Sequence, residues 1–127
     1  MKLMSMAALA FSALATVAAA QEPQEIAALD VAVDAATLEG KALKVTGCTI
    51  IGANISFMMC GIKSKTGTVG NLHVGVEKLD RAQFKQALQN CAGLMPAKGC
   101  GATIIGSLGK TFTGEPSIIA EQIVWVK

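Results

Sequence analysis

The side chains of this 127-residue sequence that could do chemistry are four cysteines, one histidine and two close carboxylate pairs. Cys48, Cys60, Cys91 and Cys100 include no Cys-x-x-Cys pair, so a thiol-redox role is not expected. In an oxidising compartment an even count reads as two structural disulfides, and spacing alone leaves three pairings open. His73 alternates with Leu72 and Val74 on a strand-like run and is expected to face solvent. Glu77 also alternates outward, and Asp80 stands where a helix N-cap belongs, so neither reads as an acid or a base. Asp30 and Asp34 read as a solvated pair.

The standard catalytic patterns are absent. There is no glycine-rich nucleotide loop, no phosphate loop, no Gly-x-Ser-x-Gly and no His-Glu-x-x-His. With a single histidine, a Ser-His-Asp arrangement is hard to assemble. The expectation is a protein that is not an enzyme, with no catalytic residue and no cofactor. Met58, Met59, Cys60, His73 and Trp125 are ligand or shielding types suited to Cu(I), which makes copper carriage an alternative. Adjacent Met58 and Met59 point to opposite faces of a strand, however, and methionine in an apolar strand usually fills a core. No metal ligand is assigned.

The elements that must position these residues begin with an export signal. Lys2 is followed by an apolar run from Leu3 to Val17, and Ala18-Ala19-Ala20 offers a cleavage site before Gln21. Residues 1–20 are therefore expected to be a signal peptide and the destination the periplasm. No cysteine stands at the cleavage point to take a lipid, and no later run is long enough for a transmembrane helix. Of the eleven basic residues only Lys2 leaves with the signal, so the remainder carries one more cation than its nine acids. A near-neutral chain of that kind has no electrostatic case for a polyanionic partner.

Residues 21–37 form an N-terminal extension, frayed as far as Gln24. Alternation of Leu29, Val31 and Val33 favours a short strand, although a helical turn also fits, and Ala35–Leu38 suits one turn. Residues 38–127 carry clearer signals. Leu43 and Val45 alternate with Lys44 and Thr46, and Gly47 marks a bulge. Gly52-Ala53-Asn54 is turn chemistry. An apolar strand runs from Ile55 to about Ile62, Lys63–Gly70 reads as a loop, and Leu72, Val74 and Val76 mark a third strand. A helix follows, with Asp80 at the N-cap, Gln83 completing a capping box and Leu79 stapled to Phe84. Phe84, Ala87, Leu88 and Cys91 form its buried stripe. Two strands, Ala102–Leu108 and Ser117–Val126, flank a Gly/Thr/Pro loop from Gly109 to Pro116.

Five strands with a helix between the third and fourth, and a bent glycine-containing first strand, resemble an OB-fold Greek-key barrel. The stretch from Leu38 onward resembles the small exported bacterial OB-type domains. The likeness rests on Gly40-Lys41-Ala42-Leu43-Lys44-Val45-Thr46-Gly47 and on Leu79-Asp80-Arg81 with Leu88, Cys91 and Cys100. It implies an all-β fold with one helix, and a role in binding oligonucleotides, oligosaccharides or proteins. In that architecture Cys48 and Cys60 oppose each other across a hairpin, and Cys91 and Cys100 clamp the link from helix to fourth strand. The resemblance also points to binding loops, here represented by Asn54, Lys65, Lys110 and Phe112. Nucleic acid is disfavoured, because beyond the signal only Phe57, Phe84, Phe112 and Trp125 are aromatic and the lysines are scattered. The expected role is a periplasmic, disulfide-stabilised interaction module for an envelope protein or glycan.

Overall fold

The computed structural model describes residues 22–127, and the expected signal peptide lies outside them. Five strands form a closed barrel: β2 (Ala42–Ile51), β3 (Phe57–Ser64), β4 (Gly67–Gly75), β5 (Gly101–Lys110) and β6 (Pro116–Trp125). β2, β3 and β4 form an antiparallel meander. β5 pairs antiparallel with both β6 and β2. A parallel seam between β4 and β6 then completes the ring, and this is the OB topology.

Alternation along each strand fills the interior. Leu43, Val45, Ile50, Met58, Cys60, Val74, Ile104, Ile118 and Ala120 are all buried in one core. Two glycines permit the curvature. Gly47 takes φ +78° where the β2–β5 register shifts between Val45 and Cys48, a bulge that a side chain would strain. Gly106 lies so close to β6 that a methyl group there would collide with the Ile119 carbonyl.

The N-terminal extension contains both of the elements its sequence left open, strand and helix. Gln24–Ala27 is a short strand (β1) parallel to β2, so residue 24 is already ordered. The alternating residues after it form a helix, α1 (Ala28–Val33), and α2 (Ala35–Leu38) supplies the expected turn. Helix wins because Ala28 and Val31, three apart, both reach the barrel core while Leu29 and Val33 stay exposed. Leu38 joins the same core, so it is continuous across the extension and the barrel.

Other boundaries also move. The second barrel strand starts at Phe57, because Asn54 Oδ1 accepts from the Ser56 and Phe57 amides and holds Ile55 in the turn. The expected loop at Lys63–Gly70 is largely hairpin, with only Lys65 and Thr66 between β3 and β4. Its Gly/Thr composition reflects a strand with a bulge between Ile62 and Lys63 rather than a loop.

Helix α3 (Arg81–Asn90) begins as expected, with Asp80 Oδ2 accepting from the Ala82 and Gln83 amides. The capping box is half made. The Gln83 side chain turns instead to β6, donating to the Ile123 carbonyl at 2.6 Å and accepting from its amide at 3.0 Å. The reason is the shortness of the seam, which pairs β4 with β6 only from His73↔Ser117 to Gly75↔Ile119. Beyond it the β6 edge has no strand partner, and the Gln83 amide takes that place.

Both disulfides join the pairs expected from the fold, Cys48–Cys60 and Cys91–Cys100. Cys48 and Cys60 are not directly opposed, since Cys48 faces Ile62 and Ile50 faces Cys60. They bridge diagonally with Cα atoms 5.0 Å apart. Chain-entropy arguments give each such short loop about 3 kcal/mol. All four cysteines are buried and none is free. Removing the Cys91–Cys100 bond by a double Ser substitution is expected to cost about 3 kcal/mol in chemical denaturation. A loss under about 1 kcal/mol would mean the loop is held without it. Gln83→Ala leaves two groups of buried Ile123 unpaired and should cost about 2 kcal/mol. An unchanged melting temperature would show that the tether does not hold the edge.

Candidate functional site

The parallel seam carries the most chemically varied surface of the barrel. His73 and Gly75 on β4 face outward beside Ser117 and Ile119 on β6. Together with Ser56, Glu77, Lys78, Lys110, Thr111 and Phe112 they line a cleft of about 590 Å³. Three segments build its rim: the β2–β3 turn, the β4–α3 link and the β5–β6 loop.

His73 lies on the outward face that alternation predicts, but it is not open to solvent. It is half-buried: Ser117 Oγ is hydrogen-bonded to its Nδ1 at 2.7 Å, and the Phe57 ring lies against it with centroids 5.0 Å apart. Ser117, on the outward face but only 3% exposed, is buried and polar and needs that partner. The Glu77 carboxylate folds back over Gly75. A Cβ there would sit 2.9 Å from Glu77 Oε1 and 3.7 Å from Ser117 Oγ, so the bare glycine lets both oxygens approach one point. The His73–Ser117 pair and the Glu77 carboxylate thus line the same cleft.

The loop bearing Phe112 is held by its own hydrogen bonds. The Thr111 amide donates to the Glu115 carbonyl, the Gly114 amide to the Thr111 carbonyl, and the Glu115 amide to Thr111 Oγ1. The turn that results leaves Phe112 fully exposed, with a relative accessibility of 102%. Lys110 is ion-paired with Glu39 at 3.5 Å, which ties the residue after α2 to the rim.

Of the four expected loop residues, the structure gathers two. Lys110 and Phe112 line the cleft. Asn54 is a turn former, its amide nitrogen donating to the Gly52 carbonyl and its oxygen accepting two amides, so its side chain is occupied. Lys65 sits at the tip of the β3–β4 hairpin and does not line this cleft. Glu77, Lys78, Ser56 and Ser117 were missed by sequence reasoning. Phe57 stacking on an outward histidine was a readable signal, but a 44-residue separation hides Ser117.

The soft-metal set is dispersed. Met58 is in the core, Cys60 is in a disulfide, and the methyl end of Met59 packs towards Gly52. Trp125 pairs with Ala102 at the far end of β6. Among the described residues no cluster of three or more His, Cys, Asp or Glu could hold a metal ion.

No family model and no curated protein matches this chain. Solved structures do resemble it. Asparaginyl-tRNA synthetase from Pyrococcus horikoshii superimposes with a TM-score of 0.51 at 15% identity, over 84% of this chain and 24% of the synthetase chain. The chain thus matches about a quarter of that protein's length, and the likeness is one of fold.

Because Phe112 touches no core residue, Phe112→Ala should change unfolding free energy by under about 0.5 kcal/mol. A large fall in melting temperature would place the ring in the core instead.

Proposed function

We propose that this chain is an exported, periplasmic binding module, non-enzymatic, whose cleft at the β4–β6 seam holds a neutral segment of an envelope glycan. The observation that carries this reading is the fully exposed Phe112, fixed on a hydrogen-bonded turn above a floor of hydroxyl, imidazole and carboxylate. A ring on a rigid loop offers a stacking surface with little ordering cost on binding. Small-molecule sites pair such apolar surface with a few fixed polar groups, as this cleft does.

Charge balance favours a neutral ligand. Lys78 and Lys110 line the cleft, but Glu77 lies among them and Glu39 is paired to Lys110. A phosphodiester chain would need a basic groove and several aromatic platforms, and Phe112 stands alone among the described aromatics in being fully exposed. The non-enzymatic reading rests on the floor itself. Ser117 is buried, which poorly suits a nucleophile. Both disulfides suit an oxidising, extracytoplasmic compartment, and no described helix is long and apolar enough to cross a membrane. The apolar run ahead of Gln21 supports export to the periplasm.

A photo-reactive residue at Thr113, beside the ring, is expected to cross-link a glycan in the periplasm, and Phe112→Ala should weaken that glycan's binding at least tenfold, or about 1.4 kcal/mol. Cross-links confined to one protein would replace the glycan with a protein partner. N-terminal sequencing of the periplasmic form should start at Gln21, and an unprocessed chain in the cytosol with free thiols would remove the export reading.

A further inference from the structure

A second surface lies apart from the cleft, over the outer face of β2, β3 and β4. The loop joining α3 to β5 carries Leu94 and Met95, which are 71% and 78% exposed. Beneath them Thr49, Ile51, Gly61, Lys63, Thr68 and Asn71 line a groove of about 310 Å³. The loop cannot fold these side chains away. Its ends are joined by Cys91–Cys100, and its backbone accepts the Gly52 amide at Gly93 (2.8 Å) and the Ala53 amide at Cys91 (3.1 Å). Two large apolar side chains are therefore held out in water by covalent and hydrogen-bonded restraint.

The chain segments that build this face carry charge of one sign. No acidic residue occurs between Lys41 and Val76, or between Arg81 and Gly114. The acids collect in the N-terminal extension, at Glu77 and Asp80, and on or beside β6. Lys44 pairs with Glu25 of that extension and Lys110 with Glu39 just after it. Lys63 in the groove, Lys65 at the hairpin tip and Lys98 in the loop itself make no ion pair among the described residues.

We propose that this face docks reversibly on an anionic phospholipid surface, with Leu94 and Met95 entering the interfacial region and Lys63, Lys65 and Lys98 meeting the headgroups. Adjacent apolar residues amid cations suit an interface that is apolar below and negative above. A protein partner needs about 800 Å² per side for a stable contact, more than two side chains offer. A second copy of the chain would bring like charges together across a two-fold axis, which opposes self-association.

The test is co-sedimentation of the disulfide-bonded chain from Gln21 onward with vesicles of phosphatidylglycerol and phosphatidylethanolamine, against vesicles of phosphatidylcholine alone. Binding is expected to the first and not the second at about 50 mM salt, and to fade as salt screens the lysines. Leu94→Ser with Met95→Ser should lower partition at least tenfold, and Lys63→Glu with Lys98→Glu, both on the surface and remote from the core, should do the same. Lys44→Glu, outside the groove and ion-paired with Glu25, should leave it unchanged. The proposal falls if phosphatidylglycerol vesicles are not bound, if either double variant binds as the parent does, or if size exclusion shows the apolar pair sustaining a dimer instead.

Discussion

Three parallel pairings, His73↔Ser117, Val74↔Ile118 and Gly75↔Ile119, close this barrel. Without them β4 and β6 would be free edges of a curled sheet, open to pairing with other chains. So short a seam leaves work on both sides. Beyond Ile119 the β6 edge is completed by a side chain, Gln83, whose amide offers the donor and acceptor of a missing strand. Before His73 the gap is bordered by the turn that carries Phe112. The same brevity that makes closure depend on a helix residue also opens the cleft.

The inside of the seam is strictly apolar and the outside mixed, and alternation explains both. Val74 and Ile118 pack inward with no exposure, while their neighbours His73 and Ser117 turn outward and satisfy each other. A serine in this position cannot be left unpartnered at 3% exposure, since an orphaned buried hydroxyl costs about 1–3 kcal/mol. The histidine is thus positioned by a stability requirement before any ligand is considered. Gly75 then leaves room for the Glu77 carboxylate, whose Oε1 lies 2.9 Å from where a Cβ would sit.

How much of this was legible follows from sequence distance. The barrel strands, the Asp80 cap, the Gly47 bulge and the turn at Gly52-Ala53-Asn54 are written locally, in period, propensity and turn chemistry. The disulfide pairs followed once the topology was assumed. What could not be read is long-range. His73 looked exposed because nothing near it signals Ser117, and Gln83 looked like a capping-box residue because its partner is 40 residues away. The choice between strand and helix at α1 stayed open for a related reason: Leu29, Val31 and Val33 alternate, yet only Ala28 and Val31 find a core to enter. Composition likewise made Lys63–Gly70 look like a loop, whereas pairing with β3 makes most of it a strand.

Two of the exposed apolar features, Phe112 and the Leu94–Met95 pair, are alike in how the fold treats them. Each sits on a segment closed on itself, by threonine and backbone hydrogen bonds in one case and by a disulfide in the other. Neither segment gains folding free energy from the side chains it displays, because apolar stabilisation follows area removed from water. A loop that merely connected β5 to β6, or α3 to β5, would serve as well with polar residues at these positions and would carry less aggregation hazard. Rigid display also shortens the entropic step a binding surface must take when it meets its partner. Restraint and exposure together set these residues, and Ile55 in the turn held by Asn54, apart from exposed Val33 and Val126, which lie on or beyond the ends of regular elements and have no such support.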